Sequence, residues 1–228
     1  MNVLVIAAHP DDEVLGCGGT IARHAYNGDQ VFIAILAEGM MARSGIKDNK
    51  SYRVEQKKLR ENSLNAASIL GAKDIIHYDF PDNRMDSIDL LDVIKVVEEC
   101  IDKFKPEIIY THYTGDLNID HSIVAKAVIT STRPLPVNPL LEVYAFEVLS
   151  STEWAFSSGV EYFRPNYFIG IDDFLDKKIE AISIYQTEIN QFPHPRSIEA
   201  IKNLAFRRGS QAGLKAAEAF TLFRKIYR

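Results

Sequence analysis

The chain has 228 residues, 46% of them hydrophobic and 25% charged, with a formal net charge of −5. That is enough chain to bury a sheet and hold a rigid site. The mild acidity and the lack of a long basic run exclude a duplex-binding surface as the main activity, and Cys17 and Cys100 alone make no disulfide framework.

The opening apolar stretch meets charge after only eight residues and has no basic segment before it. It is too short for a membrane span and wrong for a signal peptide. The expectation is a cytoplasmic protein with no nucleic-acid partner and no membrane association.

Residues 2–8 (NVLVIAA) form a short apolar run, partly β-branched, which predicts a central strand. The chain then turns through Gly16, Gly18 and Gly19 towards a helix over 20–26. Residues 30–36 predict a second strand. A polar loop over 38–51 follows, long enough to be functional. Helical spacing covers 52–70 and stops at Gly71. A third strand over 74–78, a loop over 80–87, a helix over 88–104 and a fourth strand over 107–111 continue the alternation.

A helix over 122–132 is followed by Pro134, Pro136 and Pro139, which exclude regular structure. Strands are expected over 141–149 and 167–171, with 154–162 ambiguous between them. A helix over 174–186 follows, capped by Asp172 or Asp173. The final expectation is a helical region over 197–227, interrupted near Gly209 or Gly213.

Strands alternating with helices predict an α/β fold: a mostly parallel sheet flanked by helices, with a smaller C-terminal subdomain on the same fold. Residues 1–228 are read as a single domain. In such sheets ligands bind beyond the carboxyl ends of the strands. Every polar cluster of interest falls there: His9 to Glu13 after strand one, Glu38 after strand two, 80–84 after strand three, and 112–121 after strand four.

An imidazole and three carboxylates at His9-Pro10-Asp11-Asp12-Glu13 are poor core material. They suit a metal site with a base beside it. A catalytic zinc takes three protein ligands and leaves a position for water. His9 and Asp12 are candidates, and the third comes from far along the chain, with His121 first and His112 second. Iron or another divalent ion would also suit two His and one Asp. Asp11 or Glu13 could take a proton from water, and Asp120 could hold the tautomer of a ligand imidazole. The plain alternatives are a strand-end histidine, a helix-terminal carboxylate and a histidine in a helix's first turn. It is the clustering that favours the metal reading. The glycines do not make a nucleotide loop, because the G-x-G-x-x-G spacing is missing and acids stand where a phosphate would go.

Ala8-His9-Pro10-Asp11-Asp12-Glu13, then Leu15-Gly16-Cys17-Gly18-Gly19-Thr20, resembles the signature of the LmbE-like, or PIG-L, zinc-dependent N-deacetylases. Asn118-Ile119-Asp120-His121 resembles that family's second motif. The resemblance implies one catalytic zinc ion held by His9, Asp12 and His121, with Asp11 as general base and Asp120 as the carboxylate before the third ligand. It implies a Rossmann-like α/β fold, hydrolysis of an acetamide, often on an N-acetylglucosamine-type sugar, and a homo-oligomer. One departure stands out. Asn118 replaces the first histidine of the second motif, so no imidazolium acid is supplied there. Protonated Asp11 could return the proton instead.

Arg60, Asp82 and Arg84 are substrate-contact candidates by the same resemblance. His112 is a candidate donor to the oxyanion, and Glu38 a candidate for sugar hydroxyls. His194, restrained between Pro193 and Pro195, could close over the site as the missing acid. Arg207 and Arg208 could meet a carboxylate or face solvent. Tyr113, Trp154, Phe156 and Tyr162 could stack on a sugar ring or simply pack. The rival readings are a non-catalytic sugar- or metal-binding protein, and a metal hydrolase acting on a different amide or on an ester.

Overall fold

The structure is a computed structural model; it describes residues 1–39, 49–134, 142–156 and 162–227, with side chains from 53 onward in the second of these segments. The elements in chain order are β1 (Asn2–Ala7), α1 (Asp12–Tyr26), β2 (Gln30–Ala37), α2 (Asn49–Leu70), β3 (Asp74–Phe80), α3 (Leu90–Phe104), β4 (Ile108–His112), α4 (Ile119–Ser131), β5 (Glu142–Phe146), β6 (Tyr167–Gly170), α5 (Leu175–Ser183), α6 (Ile198–Ala212) and β7 (Ala217–Lys225). Much of the loop expected over 38–51, the proline stretch and part of 154–162 lie outside the described residues.

Seven strands form one sheet in the order β3-β2-β1-β4-β5-β7-β6. The first five run parallel, and β7 is antiparallel to both its neighbours. Strand side chains alternate between faces. Val3 and Val5 therefore pack with α1, α2, α5 and α6, while Leu4 and Ile6 pack with α3 and α4. Burial on both faces is why the central strands read as unbroken apolar runs.

The chain leaves β1 towards β2 and β3, then returns to place β4 on the other side of β1. The order reverses between β1 and β4. A crevice opens beyond the carboxyl ends of strands at such a point. His9 lies just past β1, and His121 lies in the first turn of α4, after β4.

Two elements differ from the sequence expectation. Helix α1 begins at Asp12, eight residues before residue 20, and contains the glycines. Tight packing decides this: a β-carbon on Gly16 would lie 2.3 Å from the Phe146 ring, and one on Gly19 would lie 2.7 Å from Ile171. The helix bends at Cys17, whose φ is −148°. Lys178 bridges the bend, donating to the Leu15 carbonyl at 2.8 Å and to Glu218 at 2.5 Å. Glu218 in turn accepts the N–H groups of Gly19 and Thr20.

The second difference is the C-terminus. Helix α6 stops where Gly213 takes a φ of +71°, and residues 217–225 form β7 rather than more helix. Ala, Glu, Leu and Lys favour helix in isolation. Pairing on both edges, with β5 and with β6, overrides that preference. At the start of α5, Asp172 does not cap the helix; its Oδ1 accepts the Ala216 N–H.

Candidate metal centre and cavity

The first turn of α1 and the first turn of α4 meet across the β1–β4 junction. His9 Nδ1 lies 3.2 Å from Asp12 Oδ2 and 3.3 Å from His121 Nε2. His121 Nε2 lies 3.2 Å from the same Asp12 oxygen. Three donors thus form a nearly equilateral triangle. Ligands about 2.0–2.1 Å from a tetrahedral ion are separated by about 3.3 Å. The donor set therefore fits a small divalent cation in both chemistry and spacing. Asp12 Oδ1 is buried without a hydrogen-bond partner, which is costly unless something charged meets that carboxylate.

His9, Asp82 and Asp120 make a second group that could hold a cation. The His9 Nε2 is 2.9 Å from Asp120 Oδ2 and 3.1 Å from Asp82 Oδ1. Asp120 is also committed to the backbone: its oxygens accept the N–H groups of Asn83 at 2.6 Å and Met85 at 3.0 Å. It therefore acts best as the carboxylate that orients His9, a common arrangement behind a ligand imidazole. Its partner is thus His9, and not the adjacent His121.

His121 is oriented by a residue that sequence reasoning missed. Asp116 Oδ1 lies 3.2 Å from His121 Nδ1. Asp116 is itself held by Ser151, by Thr152 at 2.7 Å and by the Asn118 N–H at 2.9 Å. Burial works against charge on His121, and Asp12 and Asp116 outweigh it, lifting the imidazole to about 9. Burial likewise opposes charge on His9, and Asp12, Asp120 and Asp82 hold it well above its ordinary value. A field that retains protons on two imidazoles also favours a dication, which displaces them.

A cavity of about 100 Å³ opens beside this centre, lined by His9, Asp11, Asp82, Asn118, Glu188 and Arg196 among others. Asp11 occupies the N-cap of α1 with φ 109°, yet its side chain caps nothing. Its Oδ2 instead accepts from Arg196 Nη1 at 2.8 Å. Burial pushes the Asp11 carboxyl well up, Arg196 pulls it back, and Asp12 adds to the rise. Asn118 caps α4 by accepting the Asp120 N–H at 2.9 Å, while one of its amide hydrogens goes to Asn83.

Arg196 is the second residue that sequence reasoning missed. It lies two positions past His194, and the Arg196 N–H donates to His194 Nδ1 at 3.0 Å. Its guanidinium is steadied by Ser150 Oγ at 2.8 Å. The Pro-His-Pro break was the only signal available, and it pointed at the histidine.

Several sequence candidates lie elsewhere. His194 is not among the cavity's lining residues; its ring meets Trp154 edge-on at 5.7 Å. His112 is fully buried behind His121, stacked on it at 4.0 Å, and its Nε2 accepts the Ala8 N–H at 2.8 Å. Burial and His121 hold it well below its ordinary value, and it is not among the residues that line the cavity. Arg60 pairs with Asp79 on the edge strand, and Glu38 accepts from Gln56 at 3.2 Å. Arg84 is exposed, and Arg208 is engaged with Glu147 at 2.6 Å. Of the proposed substrate contacts, only Asp82 lines the cavity among the described residues. Tyr113 is buried and donates to the Tyr162 carbonyl. No helix among the described residues is long and apolar enough to cross a membrane.

Comparison with known proteins gives a consistent result. A family model described as PIG-L, GlcNAc-PI de-N-acetylase, matches residues 4–132. The chain is 34% identical over 140 residues to an uncharacterized deacetylase, YaiS, of Escherichia coli, spanning 59% of this chain and 70% of that protein. It is 28% identical over 230 residues to a 4-oxalmesaconate hydratase of Pseudomonas putida, covering 92% and 81% of the two chains. The structure of an N,N'-diacetylchitobiose deacetylase from Pyrococcus horikoshii superposes with a TM-score of 0.77 at 21% identity, over 98% of this chain and 84% of that one.

Proposed function

We propose that this chain, which belongs to the PIG-L family, is a metal-dependent amide hydrolase that removes acetyl groups from an N-acetylated sugar or a related small molecule. The observation that carries the reading is a buried carboxylate, Asp11, held beside a three-donor centre at the mouth of a polar cavity. His9, Asp12 and His121 would hold one divalent ion, and zinc is the ion we propose. Such an ion supplies Lewis-acid polarisation of a carbonyl and a more acidic water.

The chain's own groups do the rest. Asp11 takes the proton from water at a carboxylate oxygen as the water attacks the acetamide carbon. Arg196 fixes that carboxylate. Asn118 has one amide hydrogen left to offer to the oxygen that gains charge. Asp11 then returns its proton to the nitrogen as the C–N bond breaks, so acetate and a free amine leave. This sequence needs no imidazolium at position 118.

A second reading has support from the hydratase relative, which is similar across most of the chain. There the same carboxylate would direct water at a carbon–carbon double bond. Acetate assay with N-acetylglucosamine and N,N'-diacetylchitobiose separates the two. Release of acetate and amine supports the deacetylase. Loss of ultraviolet absorbance from an unsaturated oxo-acid, with no acetate from either sugar, supports the hydratase.

A further inference from the structure

Asp11, in the cavity wall, has its backbone in a region that side chains disfavour, with φ 109° and ψ −29°. Such a conformation persists only if neighbours enforce it. An aspartate at an N-cap ordinarily turns its carboxylate onto the helix's own free N–H groups. Here the unusual φ turns it away, towards Arg196 and the cavity.

The enforcing contacts form a short chain. The Asp11 N–H donates to Glu13 Oε2 at 3.0 Å. The other oxygen of Glu13 accepts from the Tyr185 hydroxyl at 2.6 Å. Glu13 and Tyr185 are both fully buried. Tyr185 follows α5 and is 172 positions away in sequence. An ordinary capping box uses a carboxylate one position further along, facing solvent. Glu13 is shorter by one position, inside the protein, and anchored from outside its own helix. Tyr185 lies beyond the residues that the family model matches, as does Arg196. The C-terminal part of the chain thus grips Asp11 twice, through its backbone and through its carboxylate.

We propose that Glu13 and Tyr185 are a positioning pair that holds Asp11 in its left-handed backbone conformation and so keeps its carboxylate aimed into the cavity. The proposal rests on Asp11 as the general base. Neither residue touches the substrate; both act through Asp11.

The test uses the full chain loaded with zinc and four variants: Tyr185→Phe, Glu13→Ala, Glu13→Gln and Asp11→Asn. Crystal structures of Tyr185→Phe and Glu13→Ala should show Asp11 leaving positive φ and its carboxylate drawing away from Arg196. With N-acetylglucosamine as probe, kcat should fall by about 10²-fold in Glu13→Ala, with KM and zinc content unchanged. Glu13→Gln should lose less, because an amide can still accept from Asp11 and donate to the tyrosine oxygen. Retention of φ near 109° and of the 2.8 Å Arg196 contact in both truncations would overturn the proposal. The two ideas fail separately. Full turnover in Asp11→Asn removes the base, whatever Tyr185 does. A dead Asp11→Asn beside unaltered Asp11 geometry in the other variants removes only the positioning pair.

Discussion

Asp116 Oδ1 lies 3.2 Å from His121 Nδ1, across the ring from the nitrogen that faces Asp12. The ligand candidate is therefore held by carboxylates on both sides. Asp116→Asn keeps the shape and removes the charge. Metal affinity should fall by about 10- to 100-fold, measured by competition with a chromogenic chelator, while the fold stays intact by circular dichroism.

Asp11→Asn separates metal binding from proton transfer. Zinc content should remain at the level of the unmodified chain, because Asp11 is outside the donor triangle. Turnover should drop by about 10²- to 10⁴-fold, the usual contribution of a positioned base. Equal acetate release at equal zinc content would remove Asp11 from the mechanism.

The contact between Arg196 and Asp11 carries a prediction about pH. Burial raises the Asp11 carboxyl well above its ordinary range, and Arg196 opposes that rise. A base must be ionised, so activity should climb with pH through an acid limb. Arg196→Met removes the opposing charge and should move that limb to higher pH. Misplacement of the carboxylate should also lower kcat by about 10- to 100-fold. A pH–rate profile unchanged in position would contradict the pairing.

Glu13 links pH to stability. Burial lifts its carboxyl from 4.5 to about 7, with Tyr185 and the Asp11 N–H partly opposing. An acid whose folded value is raised holds its proton in the native state longer than in the unfolded chain. Stability is then lost as pH rises from about 4.5 to 7, by about 3 kcal/mol for this group. Glu13→Gln should flatten that decline in thermal melts of chelator-treated protein. Identical slopes for the two proteins across this window would refute it.

Gly16 couples the fold to the centre. A β-carbon there would meet Phe146 at 2.3 Å, and Phe146 is edge-on to His112, which backs His121. Gly16→Ala should cost about 1–3 kcal/mol, read as a lowered Tm, and should weaken metal binding as well.

The legible parts of this molecule were those encoded locally. His9, Asp11 and Asp12 stand together at the end of an apolar strand, and the strand–helix alternation alone puts His121 on the same edge. Asp116 and Arg196 were not legible. Asp116 was one of several polar residues in a ten-residue segment, and only the turn around Ser151 and Thr152 singles it out. Arg196 comes from an irregular segment with no periodicity to place it. Arg60, on the second helix, and Glu38, just past the second strand, have nearer partners in Asp79 and Gln56. Residues 217–225 misled because helix-forming residues there are recruited into a sheet by strands far away in sequence. Tertiary pairing of that kind leaves no local trace.

The most direct test is zinc titration of the chelator-treated chain with acetate release as the readout. Acetate release from an N-acetylated sugar should be absent without metal. It should rise linearly and saturate at one equivalent per chain, and the same titration of His121→Ala should stay flat. Undiminished acetate release in the presence of chelator, or one bound equivalent with no release from any N-acetylated sugar, would contradict the account.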